Sequence, residues 1–269
     1  MVEVIETDDI DKVFDDVKLL SASGGTSCVM TGIYKKEKRV LKVFSDLEAA
    51  EREAKMGHLL QDNPFFVKIF ALVKSNQKVE KTKVGQAMDG SDCKKIISGT
   101  VWIVVMEYLE GWQSLFEWKE SIESALDKED IRSIFFDVVL AMSYANSKVG
   151  FQHNDLKPEN IMCIEGKPVC YELGSDIFFV EKRKWQIKII DLAGGSIGTL
   201  IPPKNDSYTE GYLAGDVTKK NITKRKYYHD YAAIGVMLVD FLMQTSDYNE
   251  YYVDEHGGTK NFIPGPEFQ

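Results

Sequence analysis

The residues best suited to chemistry in this chain stand in one unbroken string, His153-Asn154-Asp155-Leu156-Lys157-Pro158-Glu159-Asn160-Ile161-Met162. Asp155 is a carboxylate able to take or orient a proton. Lys157 puts a positive charge two residues on, and Asn160 brings an amide just past the intervening turn. Three further segments carry groups of the same kind. Lys42 closes the apolar Val40-Leu41-Lys42, and Asp191 closes Ile187-Lys188-Ile189-Ile190-Asp191, a buried-strand pattern ending in an oxygen donor for a hard divalent cation. Ala22-Ser23-Gly24-Gly25-Thr26-Ser27-Cys28-Val29 is a run of mostly small residues whose backbone amides can approach a phosphate.

Taken in chain order, these segments resemble the working parts of eukaryotic-type Ser/Thr protein kinases. The string around Asp155 resembles their catalytic loop, His-Arg-Asp, four residues, then Asn. The resemblance implies that Asp155 is the base for a substrate hydroxyl, that Lys157 faces the transferred phosphoryl group, and that Asn160 and Asp191 hold Mg2+ on ATP. Tyrosine kinases usually carry Ala-Ala-Arg where Lys157 begins this pattern. Lys42 resembles the lysine of Val-Ala-Ile-Lys that reaches the α- and β-phosphates. Its implied carboxylate partner is Glu53, which has Ala49, Ala50, Met56, Gly57 and Leu60 as helical neighbours, whereas Glu51 sits among Leu47, Glu48, Ala54, Lys55 and His58. The small-residue run keeps the middle glycine and the valine of Gly-x-Gly-x-x-Gly-x-Val, so Ala22, Gly24, Gly25, Ser27 and Val29 are expected against the nucleotide. Val105-Met106-Glu107-Tyr108-Leu109-Glu110-Gly111 resembles the hinge, with Met106 as gatekeeper and Glu107 and Leu109 beside adenine. Thr209-Glu210-Gly211-Tyr212-Leu213-Ala214 resembles the end of an activation segment, which sets Thr209 beside the catalytic Asp and Lys. Asp230-Tyr231-Ala232-Ala233-Ile234-Gly235 resembles the start of a buried helix whose acid clamps the catalytic-loop backbone.

These groups need elements to hold them. Val17–Leu20, Val29–Tyr34 and Arg39–Phe44 read as strands, Ser45 as the cap of a helix running to about Leu60, and Phe65–Val73 and Val101–Glu107 as further strands. After an acidic start at residues 127–130, Ile131, Ile134, Phe135, Val138, Val139 and Met142 recur at helical spacing. Residues 231–243 read as a helix buried on several sides. The expected fold is α+β and bilobal, with a β-rich lobe over 1–110 and a helical lobe over 111–269 truncated after that last helix. Residues 74–100 form a polar insertion too long for a tight turn, either disordered or functional, and 164–186 form a second insertion that extends a hairpin, forms a partner surface or is passive.

The charge of −9 excludes a surface that wraps nucleic acid, which needs clustered Lys and Arg, and favours a neutral or basic protein partner. The opening residues lack a basic segment followed by an apolar one, and the longest apolar runs are too short to span a bilayer, so neither a leader nor a membrane segment is expected. Cys28, Cys93, Cys163 and Cys170 show no C-x-x-C pair, which predicts reduced thiols and a cytoplasmic location.

Several departures from the family pattern bear on activity. Asn154 stands in place of the arginine that would pair with an activation-segment phosphate. Asp191-Leu192-Ala193 replaces Asp-Phe-Gly, and Gly215-Asp216 replaces Pro-Glu. The short large lobe is similar to that of some bacterial effector kinases that rely on a host protein, so an activating partner protein is one expectation. Two alternatives stand beside an active Ser/Thr kinase. One is a pseudokinase scaffold, suggested by Ala193 and the eroded glycine run. The other is a small-molecule kinase, which Lys157-Pro158-Glu159 and Thr209 disfavour.

Overall fold

In the computed structural model, residues 2–21, 27–93, 99–122, 126–166, 169–173, 176–180, 184–197 and 228–243 are described. The expectations placed on Ala22, Gly24, Gly25 and Thr209, and on the chain beyond residue 243, lie outside them.

The first part of the chain builds a six-stranded sheet from β1 (Glu3–Thr7), β2 (Asp15–Ser21), β3 (Ser27–Tyr34), β4 (Glu37–Phe44), β5 (Ile69–Ser75) and β6 (Trp102–Glu107). The strand order is β1-β5-β6-β4-β3-β2, antiparallel throughout except that β1 runs parallel to β5. Strand alternation sorts the side chains to two faces. Cys28, Met30, Leu41, Val43, Ala71, Val73, Ile103 and Val105 point outward into one core, while Lys42, Phe44, Leu72, Val104 and Met106 point toward the rest of the molecule. Helix α1 (Leu47–Leu59) packs beneath the inward face. Its cap is Asp46, whose carboxylate accepts from the N–H groups of Glu48 and Ala49. The expected cap, Ser45, lies one residue early, because two neighbouring cap-competent residues compete and the two carboxyl oxygens of Asp46 each accept from one amide, where a hydroxyl offers a single oxygen.

The expected strand over 65–73 starts only at Ile69. Phe65 and Val67 instead bond across to a strand of the second part, Ile189 N–H donating to Phe65 O at 2.7 Å and Val67 N–H to Ile189 O at 3.1 Å. The 74–100 insertion contains a 3-10 turn (Val79–Lys81) and helix α2 (Lys83–Ala87), capped by Thr82. Val79, Val84 and Met88 from this insertion join Ile10 and Phe14 from the chain start to cover the outward face of the sheet. Lys83 fastens the two covering segments. Its ammonium donates to the carbonyls of Asp11 and Phe14 and meets the Asp15 carboxylate at 2.9 Å.

A disulfide joins Cys28 of β3 to Cys93, with Cα atoms 5.8 Å apart, which corrects the expectation of reduced thiols at these two positions; Cys163 is free and buried. The bond spans 65 residues of sequence, and constraining a loop of that length in the unfolded chain stabilises the fold by about 4 kcal/mol. Urea unfolding with and without a thiol reductant should therefore differ by about that amount, and coincident curves would show that the bond contributes nothing.

The second part is mainly helical. A short strand β7 (Gln113–Ser114) leads into α3 (Leu115–Ser121), opened by a capping box between Ser114 and Glu117. Helix α4 (Lys128–Val149) begins on an Asp127 cap and ends at Gly150, whose φ of 67° is the left-handed geometry that a glycine adopts without strain. After it come β8 (Phe151–Gln152), β9 (Ile161–Glu165), the hairpin of β10 (Val169–Leu173) with β11 (Asp176–Val180), β12 (Trp185–Ile189) and β13 (Ser196–Ile197). Helix α5 (Tyr228–Leu242) lies along α4, with Phe241 and Phe135 edge to face at 5.5 Å and Ser143 bonded to the Tyr231 hydroxyl at 2.9 Å. Phe241 also stacks on Trp118, which meets Trp185, so α3, α4, α5 and β12 share one aromatic cluster. Among the described residues, no helix is long and apolar enough to cross a membrane. The architecture is thus α+β, a β-rich lobe joined to a helical part.

Candidate active site

Sheet register alone brings several of the singled-out residues together. Val29 pairs with Lys42 and Lys42 with Val104, while Val40 pairs with Met106 one row on. Ser27, Val29, Lys42 and Met106 therefore share the inward face, with Ser27, Lys42 and Met106 buried. Below them, Glu53 sits on the face of α1 that also buries Ala50, Ala54, Met56 and Gly57, and is itself fully buried. Glu51 instead meets Lys74 at the surface, at 3.1 Å.

Lys42 lies between two carboxylates, 2.8 Å from Glu53 Oε2 and 2.6 Å from Asp191 Oδ1. Burial pulls the Lys42 ammonium toward deprotonation, but the charges of Asp191 and Glu53 outweigh it and hold the group well above the ordinary lysine value. Burial lifts the Glu53 carboxyl above its usual range, with the Lys42 charge opposing that rise. The Lys42 charge holds Asp191 below its ordinary 3.8. Because the folded value of Asp191 is depressed, its contribution to stability is present above the unfolded value and lost as pH falls through the folded one. The stability gap between wild type and Asp191→Asn should be full above the ordinary carboxylate range and close progressively as pH falls through and below it, read from urea midpoints; a gap that stays constant on acidification would contradict the pairing.

The loop after β8 brings the other group. Asp230, buried at the start of α5, accepts from the backbone N–H groups of His153 at 2.8 Å and Asn154 at 3.0 Å, the clamp that the sequence suggested. His153 is buried and its Nε2 meets Ile190 O at 2.9 Å, tying this loop to the residue before Asp191. Lys157 Nζ lies 3.1 Å from Asp155 Oδ2. Asn160 Nδ2 donates to Asp155 O at 2.8 Å and reaches Asp155 Oδ2 at 3.4 Å, which directs the amide oxygen elsewhere. Ile190 N–H donates to Asn160 O at 3.0 Å, placing Asn160 beside the strand that ends at Asp191. Asp191 has φ 61°, leaves its strand in the left-handed region, and has its side chain partly exposed, in contrast to the buried Lys42 and Glu53.

An amide oxygen and a carboxylate are the hard donors that suit Mg2+, and a site with so few protein ligands takes its remaining oxygens from phosphates and water. Among the described residues no group of three or more His, Cys, Asp or Glu converges on one point, as a protein-only cage would require. The donor set at Asn160 and Asp191 thus fits a cation shared with a polyphosphate.

At the far end of the inward face, Glu107 and Leu109 occupy the connection between the two parts. Leu109 O accepts from Trp112 N–H at 3.3 Å, and Gly111, φ 76°, fills the third position of that turn, where a side chain would be strained. Glu107 carries an arrangement not anticipated from sequence. Its backbone N–H donates to Lys68 O at 2.9 Å, and its carboxylate accepts from Lys68 N–H and pairs with Lys188 of β12 at 2.8 Å. The alternation of Lys188 with buried Ile187 and Ile189 was the one available signal that its side chain leaves the core.

The family model described as protein kinase domain matches residues 22–260.

Proposed function

Since the chain belongs to the protein kinase family, we propose that it transfers the γ-phosphoryl group of Mg-ATP to Ser and Thr hydroxyls of proteins. The observation that carries this reading is the position of Lys42, held 2.8 Å from Glu53 and 2.6 Å from Asp191, which follows the strand bonded through Ile190 to Asn160 of the loop that carries Asp155 and Lys157. Lys42 presents a permanent positive charge to the phosphates, with Glu53 fixing its direction from behind. Asn160 and Asp191 would hold Mg2+, which supplies positive charge to the phosphate oxygens. Asp155 accepts or orients the proton of the attacking hydroxyl, and Lys157, already at its carboxylate, swings its charge to the phosphoryl group in transfer. Met106, Glu107 and Leu109 line the adenine end, and Ala22, Gly24, Gly25, Ser27 and Val29 close over the phosphates. Thr209 orders Asp155 and Lys157 from the activation segment. The lobe division near residues 110 and 111 belongs to the same proposal.

The test is incubation of purified protein with labelled ATP and magnesium, alone, with a generic basic protein, and with cell extract as a source of an activating partner. Label on Ser and Thr is the expected result. Binding of nucleotide with no turnover under all three conditions would replace this reading with a scaffold, and transfer to a small alcohol but not to protein would replace it with a small-molecule kinase.

A further inference from the structure

Asn154 makes contacts that none of the roles above uses. Its backbone has φ 68°, in the left-handed region where Asn is several-fold enriched over other non-glycine residues, and its side chain is buried. The backbone N–H is fixed by Asp230, so the side chain leaves the loop in a set direction. Nδ2 donates to Gly194 O at 2.9 Å and to Ser196 Oγ at 3.1 Å. Gly194 ends the 3-10 turn Leu192–Gly194, which starts directly after Asp191, and Gly195 N–H closes that turn onto Leu192 O at 3.0 Å. Ser196 begins β13 and pairs with Gln152 of β8. A single amide therefore ties the residue before Asp155 to the turn that sets the backbone of Asp191. Both of these partners are uncharged, so the tie needs no phosphate to complete it.

We propose that Asn154 is a positioning residue for Asp191: its amide fixes the turn Leu192–Gly194 and thereby the direction in which the Asp191 carboxylate meets a cation. The inference rests on the reading of Asp191 as a magnesium ligand. It has a regulatory corollary, that the start of the activation segment is ordered without phosphorylation.

The measurement is affinity for a non-hydrolysable ATP analogue, with magnesium and with a chelator, for wild type, Asn154→Asp, Asn154→Gly and Ser196→Ala, beside the thermal stability of each. Asn154→Asp keeps the size and backbone preference but turns an acceptor toward the Gly194 carbonyl, while Asn154→Gly keeps the left-handed backbone and removes the amide. Both should lose about tenfold of the magnesium-dependent affinity and leave the chelator value unchanged, with Ser196→Ala losing about threefold. Loss of affinity to the same extent with and without magnesium, or no loss in Asn154→Gly and Ser196→Ala, would overturn the positioning role. A wild-type protein whose nucleotide affinity ignores magnesium would instead remove the reading of Asp191 as a ligand, and this inference with it.

Discussion

Asp155→Asn should lower the turnover of phosphoryl transfer by about 10²- to 10⁴-fold, the range that a positioned general base supplies. The substitution keeps the shape of the side chain, so the Asn160 bond to the residue 155 backbone carbonyl at 2.8 Å survives, and so does the Asp230 clamp on the preceding amides. What is lost is the carboxylate that Lys157 and the incoming hydroxyl address. Nucleotide affinity should change far less than turnover, because the bond that positions Asn160, made to the backbone carbonyl of residue 155, is kept, and Lys42 and Asp191 are untouched. Initial rates at saturating ATP, with a parallel binding isotherm, separate the two quantities. A variant that transfers phosphate at the wild-type rate would mean that another group takes the proton.

The second large effect is expected at Lys42. Lys42→Met removes two ion pairs, and Glu53 is left with its charge wholly buried and its cation gone. Removing one partner of a buried pair costs about 3–5 kcal/mol, part of which the carboxyl can avoid by taking up a proton. The variant should thus be inactive and also markedly less stable than wild type. Lys42→Met with Glu53→Gln should recover much of the stability and none of the activity, since the orphaned charge is removed but the phosphate contact is not restored. Urea unfolding of the two variants, set beside their phosphate transfer, checks both halves. If the double variant is no more stable than the single one, the penalty does not come from Glu53.

How much of this could be read in the sequence depended on how local each feature is. Asp155, Lys157 and Asn160 share one ten-residue string, so their meeting follows from a single turn. Lys42 and Glu53 needed a periodicity argument, and the apolar neighbours of Glu53 carried it. The strand β1 escaped notice because Glu3–Thr7 alternates acids with apolar residues and gains its structure only by pairing with β5, nearly seventy residues on. Cys28 and Cys93 could not be matched by spacing, since their approach depends on how the 74–100 insertion folds back over the sheet. Phe65 and Val67 have the composition of a strand but spend their backbone bonds on Ile189, a partner that no local pattern announces. Asn154 was legible as a missing arginine. That its amide would reach Gly194 and Ser196 was not, because those bonds depend on the left-handed backbone at residue 154.

The covering of the outward sheet face has a mechanical consequence. Every residue of that outer core comes from before the connection at residues 108–111, whereas the inner core draws on both halves of the molecule. A displacement of one half against the other would disturb only the inner packing. The outer core could stay closed through such a displacement, whereas Glu53, whose helix packs within the inner core, is held to Lys42 by their 2.8 Å ion pair and not by that outer packing.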